Sequence, residues 1–341
     1  MPAGLGASGY LALTFETAPG TYLPPSTAGT IFVPILSEGL EYNEDKYYSE
    51  AIRQQTIAND AKNSYYHAEG DIVWEVDTKF LPYFLYISRM TPAKTGAGPY
   101  VYTFTPASTA SAPLSGDTVT GVTNRRTASI TVIRNGIGFG YSGCTVGSWA
   151  FTIENGVLRA TMSVFGLAEQ DPGANGTPTW QTPALLGADC HQVFVAAAGT
   201  APTYSGASTD FNGFTFTIND NPAAQNRIRA DRSASYVSYG MTELTIDTEL
   251  DFVSKTEYTN FRTVVKRAIK MESVQGAPAT TYATATDNAV QLQAFNTVYD
   301  TYPISLGSAS DLIMASTSMR GLAIAGGTAY QIGVKSTASI T

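Results

Sequence analysis

Cysteine is nearly missing from this 341-residue chain: Cys144 and Cys190 are the only two. Two thiols exclude a disulfide framework and a four-ligand zinc cluster. Charge is scarce as well, with Asp, Glu, Lys and Arg at 14% against roughly 25% in an average soluble domain. It also has no basic excess. The formal net charge of −8 divides into 14 acids and 10 bases over residues 1–170 and the same again over residues 171–341. An evenly acidic chain excludes tight phosphate binding driven by counterion release. No apolar run reaches the roughly 18 residues of a membrane-spanning helix. The opening Met1-Pro2-Ala3-Gly4-Leu5-Gly6 lacks the basic and apolar blocks of a secretion signal. The expectation is a soluble chain made in the cytosol.

Catalytic signatures are missing too. Gly4, Gly6 and Gly9 fit GxGxxG spacing, but no strand precedes them and no helix follows, which is the context that lets the motif hold a pyrophosphate. Gly140-Tyr141-Ser142-Gly143-Cys144 has the wrong spacing for a nucleophile elbow, and there is no P-loop lysine or HExxH. Cys190-His191 is the only Cys–His neighbour pair, and adjacent side chains on a strand point apart, so both read as structural. No enzyme, metal or cofactor is expected.

What the sequence has in quantity is Thr (44), Gly (31) and Tyr (20). This composition favours strands punctuated by turns. The low charge points to a surface covered by other protein. Residues 1–29, rich in Gly, Pro, Ala and Thr, read as an arm ordered by contact with something else. Deleting residues 1–20 would then leave a folded chain that fails to assemble. A strand-like Ile31–Tyr42 precedes an acidic, Tyr-rich loop from Glu41 to Glu50 and a short helix from Ser49 to Ala58. Asp71–Asp77 alternates, with Ile72, Trp74 and Val76 on one face and Asp71, Glu75 and Asp77 on the other. A buried helix over Lys79–Ile87 follows, with Phe80, Phe84 and Ile87 on one side. Strands are expected at Tyr100–Phe104, Ala128–Asn135, Phe139–Ile153 and Val157–Phe165, the last two joined by an Asn155-Gly156 turn.

Residues 170–209, with four prolines and one apolar island at Val193–Ala198, read as a linker. Beyond it the order of elements recurs. Phe214–Ile218 is a strand, and Tyr236–Phe252 sets Leu244, Ile246 and Leu250 against Glu243, Asp247, Glu249 and Asp251. A Ser254/Glu257 capping box then opens a helix with the stripe Tyr258, Phe261, Val265 and Ala268, closed by Lys266, Arg267 and Lys270. Strands at Val290–Phe295, Asp311–Ala315 and Leu322–Ala325 lead through Gly326-Gly327 into Thr328–Ser336. Glu75-Val76-Asp77 corresponds to Glu249-Leu250-Asp251, and Asn155-Gly156 to Gly326-Gly327, both offsets near half the chain. The expected organisation is an arm (1–29), a first domain (30–170), a linker (171–209) and a second domain (210–341). Each domain is a β-sandwich or partial barrel with one flanking helix.

The acids at Glu75, Asp77, Glu249 and Asp251, with Glu243 and Asp247 next, admit three readings. They form a solvated outer face, a general acid–base pair, or a surface shared between repeats that repels something negative.

Several segments resemble the major tail tube proteins of long, non-contractile-tailed bacteriophages (siphophages). They are Phe32-Val33-Pro34-Ile35-Leu36-Ser37-Glu38, Tyr47-Tyr48-Ser49-Glu50-Ala51-Ile52-Arg53, Glu69-Gly70-Asp71-Ile72 with Phe80-Leu81-Pro82-Tyr83-Phe84-Leu85, and the block from Ser129 to Gly166. The likeness covers most of residues 10–170 and returns at Phe214–Asp220 and Thr245–Phe252. It implies β-rich domains that join neighbours into a closed β-barrel ring, and rings that stack into the virion tail as a conduit for genome ejection. It also implies a tape-measure protein in the lumen, terminator and distal tail proteins at the ends, and DNA passing without binding; no membrane is involved. A duplicated chain favours a trimeric ring with pseudo-sixfold symmetry over a hexamer. The acids named above become candidate lumen residues, and Glu41, Glu44, Asp45, Tyr47 and Tyr48 candidate contacts between rings. The competing expectation is a two-domain β-sandwich carbohydrate- or receptor-binding phage protein, with aromatic side chains as sugar platforms.

Overall fold

A computed structural model describes residues 9–50, 57, 60–107, 126–208, 210–228, 231–253, 255–276, 281–305, 313–325 and 327–340. From the N-terminus, β1 (Tyr10–Phe15), β2 (Ile31–Val33), β3 (Ser37–Glu38), β4 (Glu41–Tyr48) and β5 (Ala61–Glu75) lead into helix α1 (Leu81–Tyr86). Then come β6 (Met90–Thr95), β7 (Tyr100–Pro106), β8 (Ala128–Arg134), β9 (Ile137–Glu154), β10 (Val157–Gly166) and β11 (Ala168–Gln170). The second half runs β12 (His191–Ala197), β13 (Phe211–Asn219), β14 (Pro222–Gln225), β15 (Tyr236–Tyr239), β16 (Glu243–Asp251) and helix α2 (Thr256–Arg262). It ends with β17 (Arg267–Val274), β18 (Ala289–Thr301), β19 (Ile304–Ser305), β20 (Met314–Gly321) and β21 (Tyr330–Ser336). The molecule is mainly β, and among the described residues the strands do not close into a barrel.

Alternation sets the layers. In β10, Leu158, Ala160, Met162 and Val164 are buried while Arg159, Thr161 and Ser163 face outward, and β16 buries Leu244, Ile246 and Leu250 in the same way. Asn155 (φ 50°) and Gly156 (φ 74°) are both left-handed, the geometry a two-residue hairpin needs to match strand twist, and they join β9 to β10. Asn135 and Gly136, at φ 51° and 79°, do the same between β8 and β9. The core is aromatic and aliphatic: Trp149 stacks on Phe151 at 5.3 Å, and Trp74 meets Phe84 of α1 at the same distance.

Pairing is antiparallel, in the order β4-β5-β10-β9-β8-β1 through the first half. Through the second half it is β13-β16-β20-β18-β17-β12. Ladders also cross between the halves, β13 pairing with β9 and β21 with β7.

The structure corrects several expectations. Residues 9–29 are not a free arm: β1 lies between β2 and β8 with Leu11, Ala12 and Leu13 buried, and only residues 1–8 fall outside the described part. The acidic Glu41–Glu50 stretch is strand β4, paired with β5 and exposed on both faces, so no apolar periodicity marked it. The proposed helix at Ser49–Ala58 lies mostly outside the described residues. Within the expected linker, Val193, Phe194 and Ala196 are buried in β12, which pairs with β17. Tyr236–Phe252 divides into β15 and β16. Helix α2 stops at Arg262, and Val264 takes a left-handed φ of 55°. Arg267, Ala268 and Lys270 therefore lie in β17, where cross-strand bonding outweighs a seven-residue helix too short to hold itself. Ser254 lies outside the described residues, as do Gly326 and Asp311. Leu322–Ala325 is not a strand; the chain is extended just before it, in β20.

A half-buried carboxylate pins the N-terminal segment. Glu16 accepts from the Gly143 N–H and Ser129 hydroxyl on one oxygen, and from the Gly20 N–H and Thr127 hydroxyl on the other, at 2.6–2.9 Å. Burial raises its pKa, and these donors offset only part of that rise. Glu16→Ala is expected to cost roughly 2–4 kcal/mol, because it strands buried donors, and to raise hydrogen exchange across residues 17–30.

Candidate functional site

The strands β5, β10, β9, β13, β16 and β20 form one continuous sheet whose two faces differ sharply. One row of directly opposed residues reads Glu75, Arg159, Thr152, Thr215, Asp247, Ser318. The neighbouring row contains Trp74, Ala160, Phe151, Phe216, Ile246 and Met319, all buried. One face is therefore hydroxyl and carboxylate, the other is core.

The structure places Glu75 on the same sheet face as Glu243, Asp247, Glu249 and Asp251. Four strand spacings separate Glu75 from Asp247, about 19 Å, so the acids from the two halves are spread over a surface rather than gathered in one pocket. Asp77 does not join them. It is 2% exposed, and its oxygens accept the N–H groups of Lys79 and Ala184 at 2.8 and 3.0 Å. It sits beyond the end of β5, where the chain turns into α1.

Neutral donors hold three acids of this face, Asp71, Asp247 and Asp251. Ser163 donates to Asp71, Ser318 to Asp247 at 2.6 Å and Asn212 to Asp251 at 2.6 Å. Hydroxyls and amides fix the carboxylates without cancelling their charge. The two arginines on this face are each paired with an acid, Arg159 with Glu154 and Arg320 with Glu243. A shallow depression of about 570 Å³, lined by Thr152, Asn212, Thr215, Asp247, Glu249 and Ser318, lies on the same face.

Glu41, Glu44, Asp45, Tyr47 and Tyr48 all lie on β4, in the long hairpin with β5. Tyr47 and Tyr48 are more than half exposed, whereas Glu44 is spent on an ion pair with Arg232. The Arg232 carbonyl accepts from the Tyr66 N–H at 3.1 Å, and the Tyr66 carbonyl accepts from the Ala234 N–H at 2.9 Å. This ties the β14–β15 region to the first hairpin. Burial, and then the Glu44 carboxylate, push the Tyr42 hydroxyl up to about 12.

Cys190 is buried, and burial raises its thiol pKa. Cys144 is fully buried, and burial pushes its thiol well up. His191 Nδ1 lies 2.8 Å from the Ser273 hydroxyl and Nε2 3.2 Å from the Gly156 carbonyl, and burial lowers its pKa. Among the described residues no cluster of His, Cys, Asp and Glu is arranged to hold a metal, and no helix is long and apolar enough to cross a membrane. Trp74 and Trp149 are in the core, and the exposed Trp180 stands edge-on against Tyr10 at 5.9 Å. Sequence reasoning missed the hydroxyl rows of β10, β13 and β20. Their only signal was alternation of Ser and Thr with apolar residues.

A family model described as "Phage tail tube protein" matches residues 6–328. The chain belongs to the phage tail tube protein family. A tail tube protein is a structural component of the virion tail that assembles with copies of itself into a tube, and this accounts for a charge-poor surface with open strand edges. A search of curated proteins found no match.

Proposed function

We propose that this tail tube protein forms rings of three chains that stack into the tail of a siphophage, with the hydroxyl–carboxylate face turned to the lumen. The observation that carries this reading is the β9–β13 ladder. It joins the sheet of the first half edge to edge with that of the second, as neighbouring subunits of a ring would be joined. The matching strand orders of the halves support a duplication, so one chain supplies two tube-like domains, the first running from β1 to β11 and the second from β12 to β21, and three chains supply a pseudo-sixfold ring. Closing the ring consumes sheet edges that would otherwise template uncontrolled pairing.

DNA must traverse the tube without sticking. Carboxylates at Glu75, Asp247, Glu249 and Asp251, with both nearby arginines already paired, repel phosphates along the wall. Before ejection the same wall faces a tape-measure protein, and terminator and distal tail proteins close the ends. The exposed Tyr47 and Tyr48, on a hairpin projecting from the sheet, are suited to contact the next ring.

Electron microscopy of the purified chain tests this: tubes are expected, with three chains per ring by mass measurement. Six chains per ring would overturn the trimer, and density placing Glu75 and Asp247 on the outer wall would overturn the lumen assignment. Tubes carrying Asp247→Lys with Glu249→Lys are expected to retain duplex DNA at low salt, where unaltered tubes do not.

A further inference from the structure

The sheet formed by β12, β17, β18 and β21 carries a sealed polar cluster that the tubular reading does not use. Lys270 stands opposite Phe194 on one side and Gln293 on the other, and two residues along, Glu272 stands opposite Gln192 and Gln291. Gln291 in turn faces Gly333 of β21. Alternation puts Lys270, Glu272 and Gln291 on one face of the sheet, and there they meet. One oxygen of Glu272, Oε1, accepts from the Lys270 ammonium at 2.6 Å and from the Gln291 amide at 3.0 Å. An amine and a carboxamide are thus gathered on a single atom.

The surroundings exclude water and hold the parts in place. The Lys270 side chain is 14% exposed and that of Glu272 4%. The Phe194 and Tyr204 rings stand over the ammonium at 4.2 and 4.6 Å, and Gln293 fixes Tyr204 by donating to its hydroxyl at 3.1 Å. The Tyr282 N–H donates to the second Glu272 oxygen at 3.0 Å. The Tyr282 hydroxyl is buried with no hydrogen-bond partner among the described residues. It packs on Gly333, where a Cβ would stand 2.6 Å from it, so an orphaned donor lies beside the residue directly opposite Gln291. A plain ion pair needs neither an amide on the same oxygen nor a buried hydroxyl left without an acceptor, which costs stability.

We propose that Lys270 and Gln291 condense into an isopeptide bond that staples β17 to β18, with Glu272 as the proton carrier. Glu272 takes one proton from the ammonium, and the freed lone pair on Nζ attacks Cδ of Gln291. The Tyr282 hydroxyl is placed to donate to the carboxamide oxygen as it becomes negative. Glu272 then gives its proton to Nε2 and the Cδ–Nε2 bond breaks. The ammonia that departs takes the second proton of Nζ and leaves as ammonium. One amide replaces another, and no oxidant, reductant or cofactor takes part. The two positions are diagonal neighbours about 7 Å apart, a span that the joined side chains cover. The product N–H still faces Glu272, and the bond closes residues 270–291 into a covalent loop.

Mass spectrometry of the purified full chain tests this. Its intact mass is expected to fall short of the sequence mass by one ammonia. Trypsin is expected not to cut after Lys270, leaving residues 268–320 as one peptide whose fragments join Lys270 to Gln291. Lys270→Arg, which keeps a cation on Glu272, and Glu272→Gln, which keeps a hydrogen-bonding group there, are both expected at full mass. Tyr282→Phe removes only the unpartnered hydroxyl and is expected to leave the fold intact while lowering the crosslinked fraction. An unaltered chain that is folded by circular dichroism yet stays at full mass after prolonged incubation would overturn the bond. So would a loss of ammonia that maps to other residues or persists in Lys270→Arg, and persistence in Glu272→Gln would overturn the role of the carboxylate. Tube formation is read separately, so none of these results bears on the tubular reading.

Discussion

Deleting residues 1–20 is expected to leave a chain that does not reach a soluble folded state. The deletion removes β1 and with it the ladders to β2 and β8, and it takes Leu11 and Leu13, both at most 1% exposed, out of the core. Burial of each leucine contributes about 1.5–3 kcal/mol, and Glu16 with its four donors goes too. Against a typical total of roughly 5–15 kcal/mol that loss is close to decisive, and it bares two strand edges to aggregation. Soluble yield and far-ultraviolet circular dichroism check it. A deletion ending at Ser8 keeps β1 and Glu16 and serves as the comparison. A soluble, cooperatively unfolding Δ1–20 chain would instead restore the view of these residues as an assembly arm.

Gly70→Ala is the second large effect. A Cβ at this position would lie 2.1 Å from the Gly39 carbonyl oxygen and 2.6 Å from the Leu40 Cα. Both are backbone atoms that no rotamer change can move aside. The Gly39–Asn43 edge would have to separate from β5, at roughly 3 kcal/mol or more. Urea unfolding should show the lost stability. Unchanged stability would mean that this edge does not need its observed position.

Legibility in the sequence followed the number of wet faces. Strands with one buried side, such as β10 and β16, declared themselves by alternation, and Asn155-Gly156 declared its turn. Strand β4 did not, because a hairpin arm exposed on both sides has no period to read. The second helix was read too long because Val265 and Ala268 continue its spacing by chance, while the pairing that makes Arg267–Val274 a strand comes from β12 and β18, far away in the chain. The same limit applied to the acids. Which ones share a strand face was legible at β16, but the row linking Glu75 to Asp247 depends on four ladders, and register between distant strands leaves no local mark. Asp77 was misplaced for a related reason, since its backbone partners belong to the turn into α1 and to Ala184.

The two hairpins that leave the sheet are unlike one another. One is the long β4–β5 arm bearing Tyr47 and Tyr48, the other the short β14–β15 ribbon, and the Arg232–Glu44 pair binds them into one body. In the proposed ring of three chains, whichever end these hairpins occupy is threefold, whatever the inner wall resembles. A following ring then has three equivalent azimuths in which to seat rather than six, so the rotation between successive rings is chosen from half as many orientations.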